Sequence, residues 1–265
     1  MLFNPMRNGY DPSMEIMATY TVEAFMASYA WGNWKILAIS ALTFFFGYME
    51  YIYSFRLVAR EKSAPYPMWM HTFYFAHDFT GVVVFGALAQ KYHFWFFYFA
   101  ALALVIWNGF EIYNMYKGIE LERQEIWGAY YEAPVTRRQA LGNTLAQVVL
   151  FFAVVNLARV FMDDVCMFKL FAITNIVMAI APGFLWARRK DRTGSSMGLA
   201  IIILLATVNT FLPGINMWVL MSPYFDQPWY YLMGIVCVGF ATRNLLIVKS
   251  KPAKPQPAGE KSPIW

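Results

Sequence analysis

Charge is scarce in this chain. Only 14% of its 265 residues are Asp, Glu, Lys or Arg, while 59% are hydrophobic and 19% aromatic. A soluble domain carries about one quarter charged residues, so an ordinary water-soluble globule is excluded. Cysteine is nearly absent: Cys166 and Cys237 supply neither a ligand spacing nor a disulfide framework. Three histidines are too few for the histidine-rich boxes of membrane di-iron enzymes. Met1–Met14 lacks a basic stretch leading into an apolar one, so no cleaved signal peptide is expected. The net charge of +5 does not point to nucleic acid, because the basic residues gather at the ends of apolar runs.

Those runs are what the chain has in abundance. Seven stand out, at Lys35–Leu57, Met68–Ala89, Phe94–Tyr116, Ala140–Phe161, Met167–Ala187, Met197–Leu220 and Trp229–Val248. Each can cross a hydrocarbon layer of ~30 Å. Most of the 21 basic residues lie in the joins after the first, third and fifth runs and at the C-terminal end. The exceptions are Arg7, Lys35, Lys91, Arg159 and Lys169. By the excess of positive charge on the inner side, the N-terminus lies outside and the C-terminus in the cytoplasm. The expected fold is all-α: a polytopic membrane protein of seven transmembrane helices in the plasma (inner) membrane. Residues 1–34 would form an N-terminal interfacial segment, with Met14, Met17, Tyr20, Phe25 and Met26 among polar residues, or a loop cap over the bundle. Residues 35–248 would form the transmembrane domain and 249–265 a disordered cytoplasmic tail. The join Lys117–Gln139 mixes acids, bases and aromatics and reads as an amphipathic cytoplasmic helix or a lid. Phe55–Met68 and Phe184–Met197 resemble each other at a constant offset, which suggests a 3+1+3 repeat with the fourth run as connector. Repeat-built bundles place ligand sites near mid-membrane.

Polar residues inside these runs are the functional candidates. A charge at the bilayer centre costs about 3 kcal/mol or more and marks a site by default. Glu50, Asp78 and Glu111 are three such carboxylates in consecutive runs. His71 and Asp78 are seven residues apart on one helical face, which places them on one cavity; His77 points away from Asp78. At 1.5 Å per residue, Glu50 lies about 10 Å, Asp78 about 15 Å, and His71 and Glu111 roughly 5 Å from the cytoplasmic ends of their helices. The four would form a polar column open to the cytoplasm. Two carboxylates close together in low dielectric do not both ionise readily. A carboxylic acid that keeps its proton in an apolar site is a general acid or half of a proton relay. The bland alternatives are a Glu111 that snorkels or pairs with Lys117, and a His71 that only hydrogen-bonds. Asn156, Asn175 and Asn209 suit ties between helices. Pro213 should kink the sixth run, and Asp226 suits the N-cap of the seventh. Aromatic rings beside Asp78 suit a carbocation or a flat, lipid-like or cationic ligand.

Three short stretches carry a family resemblance: Trp107-Asn-Gly-Phe-Glu111, Arg192-Thr-Gly-Ser-Ser196 and Asp226-x-x-x-Tyr230. They resemble the membrane-bound terpene cyclases of meroterpenoid pathways. That resemblance implies seven helices and metal-free protonation of a prenyl chain by two acids, with Glu111 and Asp226 in those roles. A second stretch, Ala181–Ser196, is similar to the Pro-Gln helix and basic turn of PQ-loop transporters such as the SWEET sugar carriers. Gly183 stands in place of the glutamine, and Tyr53–Ser54 at the matching site of the first half. No lysine lies at mid-depth of the last run, as a retinal Schiff base requires. The leading expectation is a membrane enzyme that acts on an isoprenoid or other lipophilic small molecule by carboxylate acid catalysis, without a cofactor. Asp78, Glu50, Glu111, His71 and Asp226 are its catalytic candidates. Tyr74, Trp107, Asn108, Tyr113, Asn175 and Asn209 are its substrate-binding candidates. The alternatives are a small-solute or proton-coupled transporter of PQ-loop type, and a metal site built from His71, Asp78, Glu50 and Glu111. The lipid bilayer is the only other partner expected, with no nucleic acid and an oligomeric state left open.

Overall fold

A computed structural model of the chain describes residues 19–254 and 264–265. These residues are helical, with no strand among them. Helix α1 (Val22–Ser28) precedes α2 (Trp34–Glu61), α3 (Met68–Tyr92) and α4 (Trp95–Lys117). A π turn at Gly118–Glu122 prolongs α4 into α5 (Arg123–Trp127). Then come α6 (Arg137–Phe161), α7 (Phe168–Ile180), α8 (Pro182–Arg188), α9 (Met197–Phe211), α10 (Met217–Met221) and α11 (Pro228–Ser250).

Local chemistry sets these boundaries. Thr136 opens α6 with a capping box closed by Gln139, and the side chains of Thr21, Ser196 and Asn216 cap α1, α9 and α10. Lys62 and His93 end α2 and α3 in the left-handed conformation, at φ 57° and 50°. Pro182 has no N–H to continue the ladder of α7, so the fifth apolar run divides into α7 and α8 at Ala181.

Six helical stretches are long and apolar enough to cross a membrane: Trp34–Glu61, Met68–Tyr92, Trp95–Tyr130, Arg137–Phe161, Phe168–Arg188 and Pro228–Ser250. This is an integral membrane protein. The run at Met197–Leu220 differs from expectation. It is not one kinked helix: α9 is 15 residues long and stops at Phe211, and Pro213 follows in a turn where Gly214 takes φ 82°. Proline just past a helix end terminates it without bending it.

Helix α3 packs most extensively on α4 and then on α6, while α9 packs on α11 and α2. The described part of the N-terminal segment caps the bundle. Phe25 of α1 and its C-cap Tyr29 are fully buried, with Phe25 5.0 Å from Phe168 and Tyr29 4.0 Å from Phe96, ring centre to ring centre. Met14 and Met17 lie outside the described residues. So does most of the C-terminal tail, although its described ends are held: Glu61 receives hydrogen bonds from Lys254 and the Ile264 amide. The Lys117–Gln139 join runs from the π turn through α5 and buries Trp127.

Candidate functional site

Two cavities lie on the polar residues of α2, α3 and α4. The inner one measures about 80 Å³ and is walled by α2, α3, α4, α7, α9 and α10. Glu50 and Asp78 supply its acids, and Phe44, Phe85, Phe96, Trp107, Phe168 and Phe171 its rings. Thr43, Thr174, Asn175 and Asn209 add a neutral polar side. The outer one, a vestibule of about 750 Å³, is lined by His71 and Asn114, by the Gly118–Tyr131 stretch and by Arg188 and Arg189. It is polar and roomy enough to hold water.

Helical geometry divides the expected column between them. His71 and Asp78 share a face of α3, but two turns separate them by about 10 Å along the axis. His71 therefore opens on the vestibule and Asp78 on the inner cavity. Glu111 lines neither; it lies between. Its Oε2 is 2.6 Å from His71 Nδ1, and its Oε1 accepts a 2.8 Å hydrogen bond from the hydroxyl of Tyr51, whose ring faces the inner cavity. Glu111 and His71 are each 1% exposed. Lys117 is not the partner of Glu111: its ammonium sits over the Tyr113 and Tyr116 rings. Snorkelling and pairing with Lys117 are thus both replaced by a buried chain of hydrogen bonds.

His77 corrects a second expectation. Its Nδ1 lies 2.8 Å from Asp78 Oδ1. Neighbouring Cβ atoms diverge on a helix, but the imidazole nitrogen sits beyond Cβ and swings back along the chain. Phe171 holds the ring edge-on at 4.6 Å. Oδ2 of Asp78 is buried and finds no hydrogen-bond partner among the described residues.

The other candidates divide by place. Tyr74, Trp107, Asn175 and Asn209 line the inner cavity with Glu50 and Asp78. The Tyr74 hydroxyl is anchored on the Thr174 carbonyl at 2.8 Å. Asn209 accepts from Thr43 at 2.7 Å and donates to the Ile215 carbonyl, so it ties α2 to the turn after α9. Asn175 accepts from Thr210, joining α7 to α9. Asn156 donates to Thr80 of α3. Asn108, Tyr113 and Asp226 line neither cavity. Asn108 is buried and donates to the Leu104 carbonyl, and Tyr113 stacks on Phe55. Asp226 is exposed, accepts from the Tyr231 hydroxyl and does not cap α11, whose N-cap is Gln227. The structure therefore does not bring Glu111 and Asp226 together.

His71, Asp78, Glu50 and Glu111 do not gather as a ligand set, and no group of three or more His, Cys, Asp or Glu suited to a metal ion occurs among the described residues. Three residues at the site are not marked out by the sequence. Tyr51 looks like any interfacial aromatic, His77 falls on the wrong side of a helical wheel, and Asn114 is one amide among several. Glu122 is one of several acids in the Lys117–Gln139 join; it accepts from the Ala64 amide at 2.9 Å and fixes the α2–α3 join beside the vestibule.

No family model, curated protein or solved structure matches this chain.

Proposed function

We propose that the protein is a membrane enzyme that protonates one end of an isoprenoid or similar lipophilic substrate, in the manner of a terpene cyclase or isomerase and without a metal. The observation that carries this reading is the free Oδ2 of Asp78 in an aromatic-walled cavity. A buried carboxyl with one oxygen held and the other unpaired is placed to hand a proton to a bound molecule. Ring faces around it stabilise the positive charge that follows. Its volume admits the reacting end of a substrate and not a long chain, so the tail would remain among the helices or in lipid.

His77 holds the reacting carboxyl by its other oxygen, and Glu50 is the second acid of the cavity. Seven crossings in a 3+1+3 arrangement, an outside N-terminus and a plasma-membrane setting belong to the same proposal. Purified protein with chelator and a prenylated test substrate should form product, and Asp78→Asn should lower turnover about a hundredfold or more. A folded, fully active Asp78→Asn chain would end this reading.

Proton-coupled transport is the second reading. It is favoured by the two neighbouring cavities, with the buried Tyr51–Glu111–His71 chain running from one to the other. Solute flux in liposomes without product formation would select it.

A further inference from the structure

A line of proton carriers runs from one cavity to the other. From the vestibule inward come His71, Glu111 and Tyr51, joined at 2.6 Å and 2.8 Å. His71 lines the vestibule, and its Nε2 is buried without a partner among the described residues. Tyr51 lines the inner cavity, where Asp78 Oδ2 is likewise unpaired. One unsatisfied atom thus sits at the outer end of the chain, on His71, and a second, on Asp78, sits at the inner cavity that Tyr51 lines. A static hydrogen-bonded core would leave neither unpaired, because an unpaired buried polar atom costs about 1–3 kcal/mol.

We infer that His71, Glu111 and Tyr51 form a proton relay that reloads the acid of the inner cavity from water in the vestibule. This deepens the catalytic reading and rests on Asp78 or Glu50 being the proton donor there. A carboxylate left after protonating the substrate takes the hydroxyl proton of Tyr51, directly or across a molecule in the cavity. Tyr51 takes a proton from Glu111 Oε1. Glu111 Oε2 takes one from His71 Nδ1, and His71 takes one from water at Nε2. Net, one proton moves inward and hydroxide is left in the vestibule. The transfer starts with Glu111 protonated at Oε1 and the Tyr51 hydroxyl turned to the inner cavity; it leaves the Glu111 proton on Oε2, so rotation of that carboxyl and of the Tyr51 hydroxyl, with a tautomer change at His71, resets the chain. Asn114, a buried vestibule side chain whose Oδ1 has no partner among the described residues, is placed to order water near that entrance.

Hydrogen–deuterium exchange at the cavity carboxyl, followed by infrared spectroscopy on protein in lipid nanodiscs, tests the relay without substrate. The carbonyl band of the protonated acid is identified by its loss in Asp78→Asn or Glu50→Gln. Tyr51→Phe and Glu111→Gln should slow its exchange about a hundredfold, the scale of a positioned proton carrier. His71→Gln, remote from the inner cavity, should do the same if Tyr51→Phe fails to fold. Exchange at the wild-type rate in folded variants would overturn the relay, as would a wild type with no carbonyl band that either acid variant removes. Slowed exchange without turnover of any prenyl substrate keeps the relay and ends the enzyme reading; turnover with unslowed exchange does the reverse.

Discussion

Asp164 lies in the turn between α6 and α7, 1% exposed, where Tyr20 and the Leu170 amide donate to it. Burial pushes its carboxyl above the usual carboxylate range, although Tyr20, the Leu170 and Lys169 amides and the charge of Lys169 pull the other way. A raised folded-state pKa means that the folded chain holds the proton more tightly than the unfolded one. The contribution of this residue to stability therefore grows as pH falls from neutral toward that pKa and is unfavourable above it. The melting temperature of wild type relative to Asp164→Asn should rise between about pH 8 and about pH 5; a difference that falls would show a depressed carboxyl instead. At this scale the sequence was informative where a residue contradicts its surroundings. Glu50 and Asp78 are charges in apolar runs, and both meet the inner cavity. Tyr51 and His77 contradict nothing around them, so only their contacts reveal them. Asp226 shows the converse: a short motif pointed to it, but its place in the turn before α11 is exposed.

Gly183 opens α8 at a close crossing with α11. A Cβ there would sit 1.6 Å from Asn244 Oδ1, and Asn244 is fixed by its bond to the Ala179 carbonyl. Gly183→Ala should destabilise the protein by about 1–3 kcal/mol, read as a lowered melting temperature in detergent. Helix α1 is the opposite case, an element held by filling space. Phe25 packs against Phe96, Phe97 and Phe168, and Phe25→Ala should cost about 3–5 kcal/mol. An unchanged melting temperature would show that α1 does not brace the bundle. Element type was legible from hydrophobic run length, and six runs became long helices. Where a run contained proline the length misled. Pro182 divided one run and Pro213 ended another, because a hydropathy count does not register a missing N–H.

For the whole molecule, the distribution of basic residues implies one sidedness, and both native cysteines are buried. That leaves the surface free for introduced thiols. A membrane-impermeant maleimide on intact cells should label Trp31→Cys and not Lys190→Cys; the reverse pattern would invert the topology. How the helices enclose two cavities was not legible, since seven runs pack in many ways and nothing in their patterning says that α6 lies against α3 and outside the inner cavity wall. The short α9 carries one more consequence. Its 15 residues rise only ~22 Å, against ~30 Å of hydrocarbon, and Leu212 and Ile215 in the turn beyond it are exposed. A seventh crossing made by α9 would be mismatched on that flank and would draw the two leaflets together. The protein should accordingly prefer thin bilayers, melting higher in short-chain than in long-chain lipid, and in a membrane of mixed thickness it would collect where the acyl chains are shortest.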